Sequence, residues 1–230
     1  MLAAPAVTDL RAATTRSGAA AAAAAPGAPP ADPSHVWYVS YGSNLLRERF
    51  EVYLLGGTVA GLDRTYPGGP GTAPASAERP VVLPGRLRFG HDAPQWGGGG
   101  VAFWDPDGHG PGVLARAWRV TLRQYLEVVH LENGGTARLA APWPDRVLAD
   151  GGAVLDEGWY GRLVVVGALD GEPALTFTAP APAAVPPGPP SSRYAGVVAR
   201  GLVETFGAPA RGGLDDGGAR RYLRAAYSEG

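Results

Sequence analysis

The chain contains no cysteine, which excludes disulfides, thiolate metal ligands and a cysteine nucleophile. It contains no lysine either: every basic residue is arginine, so Schiff-base catalysis through a lysine amine is excluded. Histidine is scarce. His35, His91, His109 and His130 show no HxxxH or similar ligand spacing, so a zinc or iron site would have to be assembled from scattered carboxylates. No metal is expected. Net charge is nearly absent, at −1 over 230 residues, and no field draws in nucleic acid or an anionic membrane. Neither is expected as a partner. No run reaches the roughly 18 apolar residues that a membrane crossing needs.

The abundant residues are apolar. A hydrophobic fraction of 45% against 18% charged suits a globular domain, and the length allows one domain with tails. Residues 1–34 form an Ala/Pro tract that can bury little. A disordered leader is expected there rather than a secretory signal, because Pro26, Pro29 and Pro30 interrupt the chain directly after the Gly18–Ala25 run. Residues 35–207 are expected to form the domain, and 208–230 a flexible tail with a short helix over Arg220–Tyr227. A cytoplasmic location is the default.

Local patterns predict the elements. Val36–Tyr41 reads as a strand, ending in a Gly42-Ser43-Asn44 turn where Ser43 or Asn44 can cap a helix. Leu45, Leu46, Phe50, Tyr53 and Leu54 then recur at helical spacing. Residues 57–80 read as a long loop. Val81–Phe89, Trp96–Trp104 and Val113–Val120 read as strands. Thr121 with Gln124 fits a capping box for a helix ending near Glu132, stopped by Asn133-Gly134-Gly135. Residues 136–158 read as loop-rich. Gly161–Leu169 and Ala174–Thr178 flank an Asp170-Gly171 hairpin turn. After a Pro-rich linker, a closing helix is expected over Ser192–Phe206. Strands clustered in hairpins favour an α+β class with mostly antiparallel pairing.

Two features could carry chemistry. The Gly42-Ser43-Asn44 turn could open backbone N–H groups toward an anion, or could serve only as a helix cap. It lacks the GxSxG pattern of a nucleophile elbow. Glu132 lies at the edge of the stripe formed by Leu122, Tyr125, Leu126 and Val129, counting about 100° per residue. Burial there would raise its pKa from an unperturbed value of about 4.3 and suit it to proton exchange. The alternative is a helix-terminal Glu turned to solvent.

The Tyr41-Gly42-Ser43-Asn44-Leu45 turn after a strand resembles the opening of the γ-glutamyl cyclotransferase family. Gly97–Phe103 is similar to that family's Gly-rich strand, and Leu131-Glu132-Asn133-Gly134 to the helix end carrying its catalytic glutamate. Trp159–Ala168, Asp170–Phe177 and Ser192-Arg193-Tyr194 come next in the family's order. The resemblance implies a mixed, mostly antiparallel β-barrel of about six strands flanked by helices. It implies release of an amine from a small γ-glutamyl substrate as 5-oxoproline forms, with Glu132 as general acid/base. Tyr41, Gly42, Ser43, Asn44, Leu45 and Tyr160 would bind that substrate, the N–H groups of the turn facing the oxyanion, and no cofactor would be required. Two rivals remain: a non-catalytic binding module on the same fold, and a hydrolase using Ser43.

Overall fold

The computed structural model describes residues 6–10, 34–59, 65–69, 72–135 and 145–228. The first half holds β1 (Thr8–Asp9), β2 (His35–Ser40), α1 (Arg47–Leu55), β3 (Gly57–Thr58), β4 (Thr65–Tyr66), β5 (Ala77–Leu83), β6 (Arg86–Gly90) and β7 (Val101–Asp105). The second holds β8 (Val113–Thr121), α2 (Leu122–Glu132), α3 (Asp145–Asp150), β9 (Gly152–Val154), β10 (Arg162–Leu169) and β11 (Glu172–Thr178). Two helices close it, α4 (Ser192–Phe206) and α5 (Asp216–Ser228).

The class is α+β, built on a seven-stranded sheet in the order β1-β5-β8-β2-β11-β10-β9. Pairing is antiparallel except at β1–β5 and β2–β11. The sheet is open: β1 and β9 are its two edges and do not meet. This corrects the expected barrel, and the cause is local. Val81–Phe89 does not run as one strand, because Pro84 and Gly85 break the ladder after Leu83. Gly85 takes φ +80°, and a Cβ there would lie 2.1 Å from the Asp105 carbonyl oxygen. The chain therefore leaves the main sheet, and β6 pairs with β7 as a separate ribbon. A second small ribbon, β3–β4, occupies part of the segment read as loop.

β2 is the centre of the sheet. Val36 to Ser40 are all buried, as a strand covered on both faces must be. It pairs along its length with β8, Tyr38 opposite Trp118, and at Trp37 and Tyr38 with β11. Tyr38 stacks on Phe177, and Phe50 of α1 stacks on Trp118. Arg116 on β8 is 2% exposed and still fully partnered in charge: it pairs with Glu78 and Glu204 and donates to the Leu45 carbonyl.

Several local expectations hold. Thr121 Oγ1 accepts from the Gln124 N–H at 3.2 Å, and Gln124 Oε1 accepts from the Thr121 N–H at 2.9 Å, so the capping box starts α2. Asp170 and Gly171 both take positive φ, which the right-handed twist of a two-residue hairpin favours. Other expectations change. Leu46, not Ser43 or Asn44, is the N-cap of α1, and no side chain caps it. Within the leader, Thr8–Asp9 adds an edge strand and Leu10 is buried; residues 11–33 lie outside the described residues. Of the segment 136–158, residues 145–158 supply α3 and β9, and 136–144 lie outside. The tail is structured over α5, which packs on α4 and buries Ala219 and Leu223. Among the described residues no helix is long and apolar enough to cross a membrane.

Candidate functional site

At the end of β2 the chain turns sharply. Ser43–Leu45 form one 3-10 turn, closed by the Leu45 N–H donating to the Gly42 carbonyl at 3.0 Å. That N–H is therefore committed, and the Leu45 side chain is fully buried in the core. The expected use of every N–H from Gly42 to Leu45 on an oxyanion is corrected at this residue. Two neighbours hold the turn in place. Trp118 Nε1 donates to the Asn44 carbonyl at 3.0 Å, and α4 passes so close that a Cβ on Gly201 would sit 2.5 Å from the Leu46 nitrogen.

Glu132, in the last turn of α2, points toward this turn. Asn44 Nδ2 donates to Glu132 Oε1 at 2.7 Å and lies 3.1 Å from the Tyr38 hydroxyl. The packed face of α2 is carried by Gln124, Tyr125, Val128 and Val129, which leaves Glu132 half-buried at the rim.

Two adjoining cavities meet at this carboxylate. The inner one, about 30 Å³, is walled by Tyr38, Tyr41, Gly42, Ser43, Asn44, Glu132, Tyr160 and Tyr194, among others. The outer one, about 430 Å³, shares Ser43, Glu132, Tyr160 and Tyr194 and extends past Arg49, Tyr53, Tyr66, Trp96 and Arg193. The structure thus brings Tyr41, Gly42, Ser43, Asn44, Tyr160 and Glu132 to one place; Leu45 stays behind it.

The tyrosine hydroxyls are tied to backbone. Tyr41 donates to the Phe177 carbonyl at 2.6 Å and Tyr160 to the Ala102 carbonyl at 3.0 Å. Tyr194 accepts from the Ala102 N–H at 3.1 Å, so its own proton remains to be given. Burial pushes the Tyr194 hydroxyl up to about 12. Burial likewise drives Tyr38, Tyr41 and Tyr160 far above the ordinary phenol range. Near neutrality these groups are protonated and serve as donors. Glu132 is the one carboxylate among the described residues that wall the two cavities.

Sequence reasoning missed Arg49. It sits in α1 four residues before Tyr53 and four after Leu45, on the buried side of the helix, and this i, i+4 spacing was the available signal. Among the described residues no group of three or more His, Cys, Asp or Glu could hold a metal ion.

No family model matches the chain. Among curated proteins it is similar to "Histone deacetylase 5" of Arabidopsis thaliana, at 33% identity over 192 residues, covering 74% of this chain and 28% of that protein. The chain therefore spans less than a third of that relative's length. The relative's name is that of an enzyme, but not of a cyclotransferase. On this finding the γ-glutamyl cyclotransferase resemblance does not stand. The 5-oxoproline-forming reaction and the small γ-glutamyl substrate fall with it, and the binding-module alternative fits no better.

Proposed function

We propose that this domain is an enzyme that cleaves the amide bond of an acylated amine, with Glu132 as the general acid/base. The observation that carries the reading is the Asn44–Glu132 hydrogen bond of 2.7 Å, which fixes one carboxylate oxygen at the junction of the two cavities. The relative's name supplies the reaction class, since removing an acetyl group from an amine is amide cleavage.

Asn44 occupies Oε1, which leaves Oε2 to work on a water molecule. Glu132 takes a proton from that water as its oxygen adds to the acyl carbonyl. The same proton passes to the amide nitrogen as the C–N bond breaks, giving a carboxylic acid and a free amine. Proton transfer by a positioned side chain contributes about 10²–10⁴-fold. The hydroxyl of Tyr194 is protonated and already accepts from Ala102, so it is a ready donor to the developing oxyanion.

The test is acetate release from a panel of N-acetylated amines and acetyl-lysine peptides. We expect Glu132→Gln to keep the fold and to lower turnover by about 100-fold or more. Undiminished release in that variant, or none from the folded parent protein, would overturn the proposal.

A further inference from the structure

Arg49 is 4% exposed, yet among the described residues no carboxylate forms a salt bridge with it, and the charge of Glu132 acts on it only from further off. Its NH2 group contacts the hydroxyls of Tyr53 at 2.5 Å and Tyr66 at 3.3 Å. Its Nε and NH1 are buried with no hydrogen-bond partner among the described residues. Arg116 shows what a resident structural arginine receives here: it is similarly buried, and although its Nε also lacks a partner, Glu78, Glu204 and a backbone carbonyl answer its other nitrogens. Arg49 has instead a cage of rings, its guanidinium carbon 4.3 Å from the centre of Tyr53, 5.1 Å from Tyr66 and 6.0 Å from Trp96. All four residues wall the outer cavity, the same space that Glu132 faces.

A buried cation with donors left over is costly unless something arrives to pair with it. The guanidinium is also held in its charged form: burial pulls it down, but the Tyr53 hydroxyl that accepts its hydrogen bond and the charge of Glu132 oppose that. Carboxylate and phosphate both match guanidinium geometry. One wall of the cavity already carries the negative Glu132, which disfavours a dianion and favours a single negative charge.

We infer that the outer cavity is a carboxylate-binding site organised by Arg49, so that the acylated amine taken by this domain also bears a carboxylate, as an N-acyl amino acid does. This rests on the amide-cleavage reading for its substrate class but not for the binding site itself.

Isothermal titration of the full chain with N-acetylglycine, N-acetylglycinamide and inorganic phosphate tests it. We expect the acid to bind about tenfold or more tighter than its amide, and tighter than phosphate. Arg49→Met should abolish the preference, and Arg49→Lys should weaken it by removing the planar donor set. Equal binding of acid and amide, no binding of either, stronger binding of phosphate, or an undiminished preference in Arg49→Met would each overturn the inference. If the Arg49 variants do not fold, the comparison of acid with amide on the unaltered chain decides alone. A retained acid preference with no acetate release would sink the proposed reaction and leave the site standing. Release that ignores the carboxylate would do the reverse.

Discussion

Gly42 shows how closely the site is built. A Cβ at this position would lie 2.9 Å from the Tyr194 hydroxyl and 3.4 Å from the Ala102 side chain. Its φ of −114° lies outside the left-handed region, and the constraint that the neighbours impose is one of space. Gly42→Ala is expected to cost about 1–3 kcal/mol by overpacking, read as a shift in urea midpoint. Tyr194→Phe should also destabilise, because it strips the Ala102 N–H of its acceptor. The double variant should lose less than the sum of the two, since the obstructing hydroxyl is gone. Additive losses would show that the clash is with something else. At this scale Arg49 escaped the sequence reading, because a charged residue amid Arg47, Glu48 and Glu51 looks like part of a solvated face. Only the tertiary packing of Tyr53, Tyr66 and Trp96 encloses it.

Among the elements, α5 most changes the picture of the chain's end. Tyr222 accepts from the Leu114 N–H at 3.1 Å, and the Tyr227 ring meets Phe89 edge-on. Leu223→Ala should therefore cost about 2–4 kcal/mol in chemical denaturation; a loss below about 0.5 kcal/mol would mean that α5 merely rests on the surface. The elements legible in the sequence are those with local punctuation. Thr121 and Gln124 mark the start of α2, Asp170-Gly171 marks the β10–β11 turn, and α4 covers Ser192–Phe206 as expected after the Pro-rich linker. What was not legible depends on distant partners. Pro84-Gly85 splits a run that is otherwise uniformly strand-like, and whether β6 stays in the sheet is decided by Asp105 and β7. The two-residue β1 exists only because β5 offers an edge. The meeting of Asn44 with Glu132 was likewise invisible to periodicity, since it joins the end of β2 to the end of α2.

Taken whole, the sheet is assembled against the order of the chain. Its central strand is the second one made, but Trp37 lies beside Arg119 on one flank and Ala174 on the other. Long-range pairings of this kind are slow to form, because loop-closure entropy must be met before the contacts reward it. A chain of this length also tends to populate intermediates. In stopped-flow refolding, the near-ultraviolet signal of the Tyr38–Phe177 and Phe50–Trp118 stacks should lag the far-ultraviolet signal of α2 and α4. Coincident single-exponential traces would contradict this. During synthesis the consequence is sharper. β2, buried from Val36 to Ser40 in the finished molecule, has its second neighbour only when β11 has left the ribosome, so one edge of a buried strand stays open while everything between the two is synthesised.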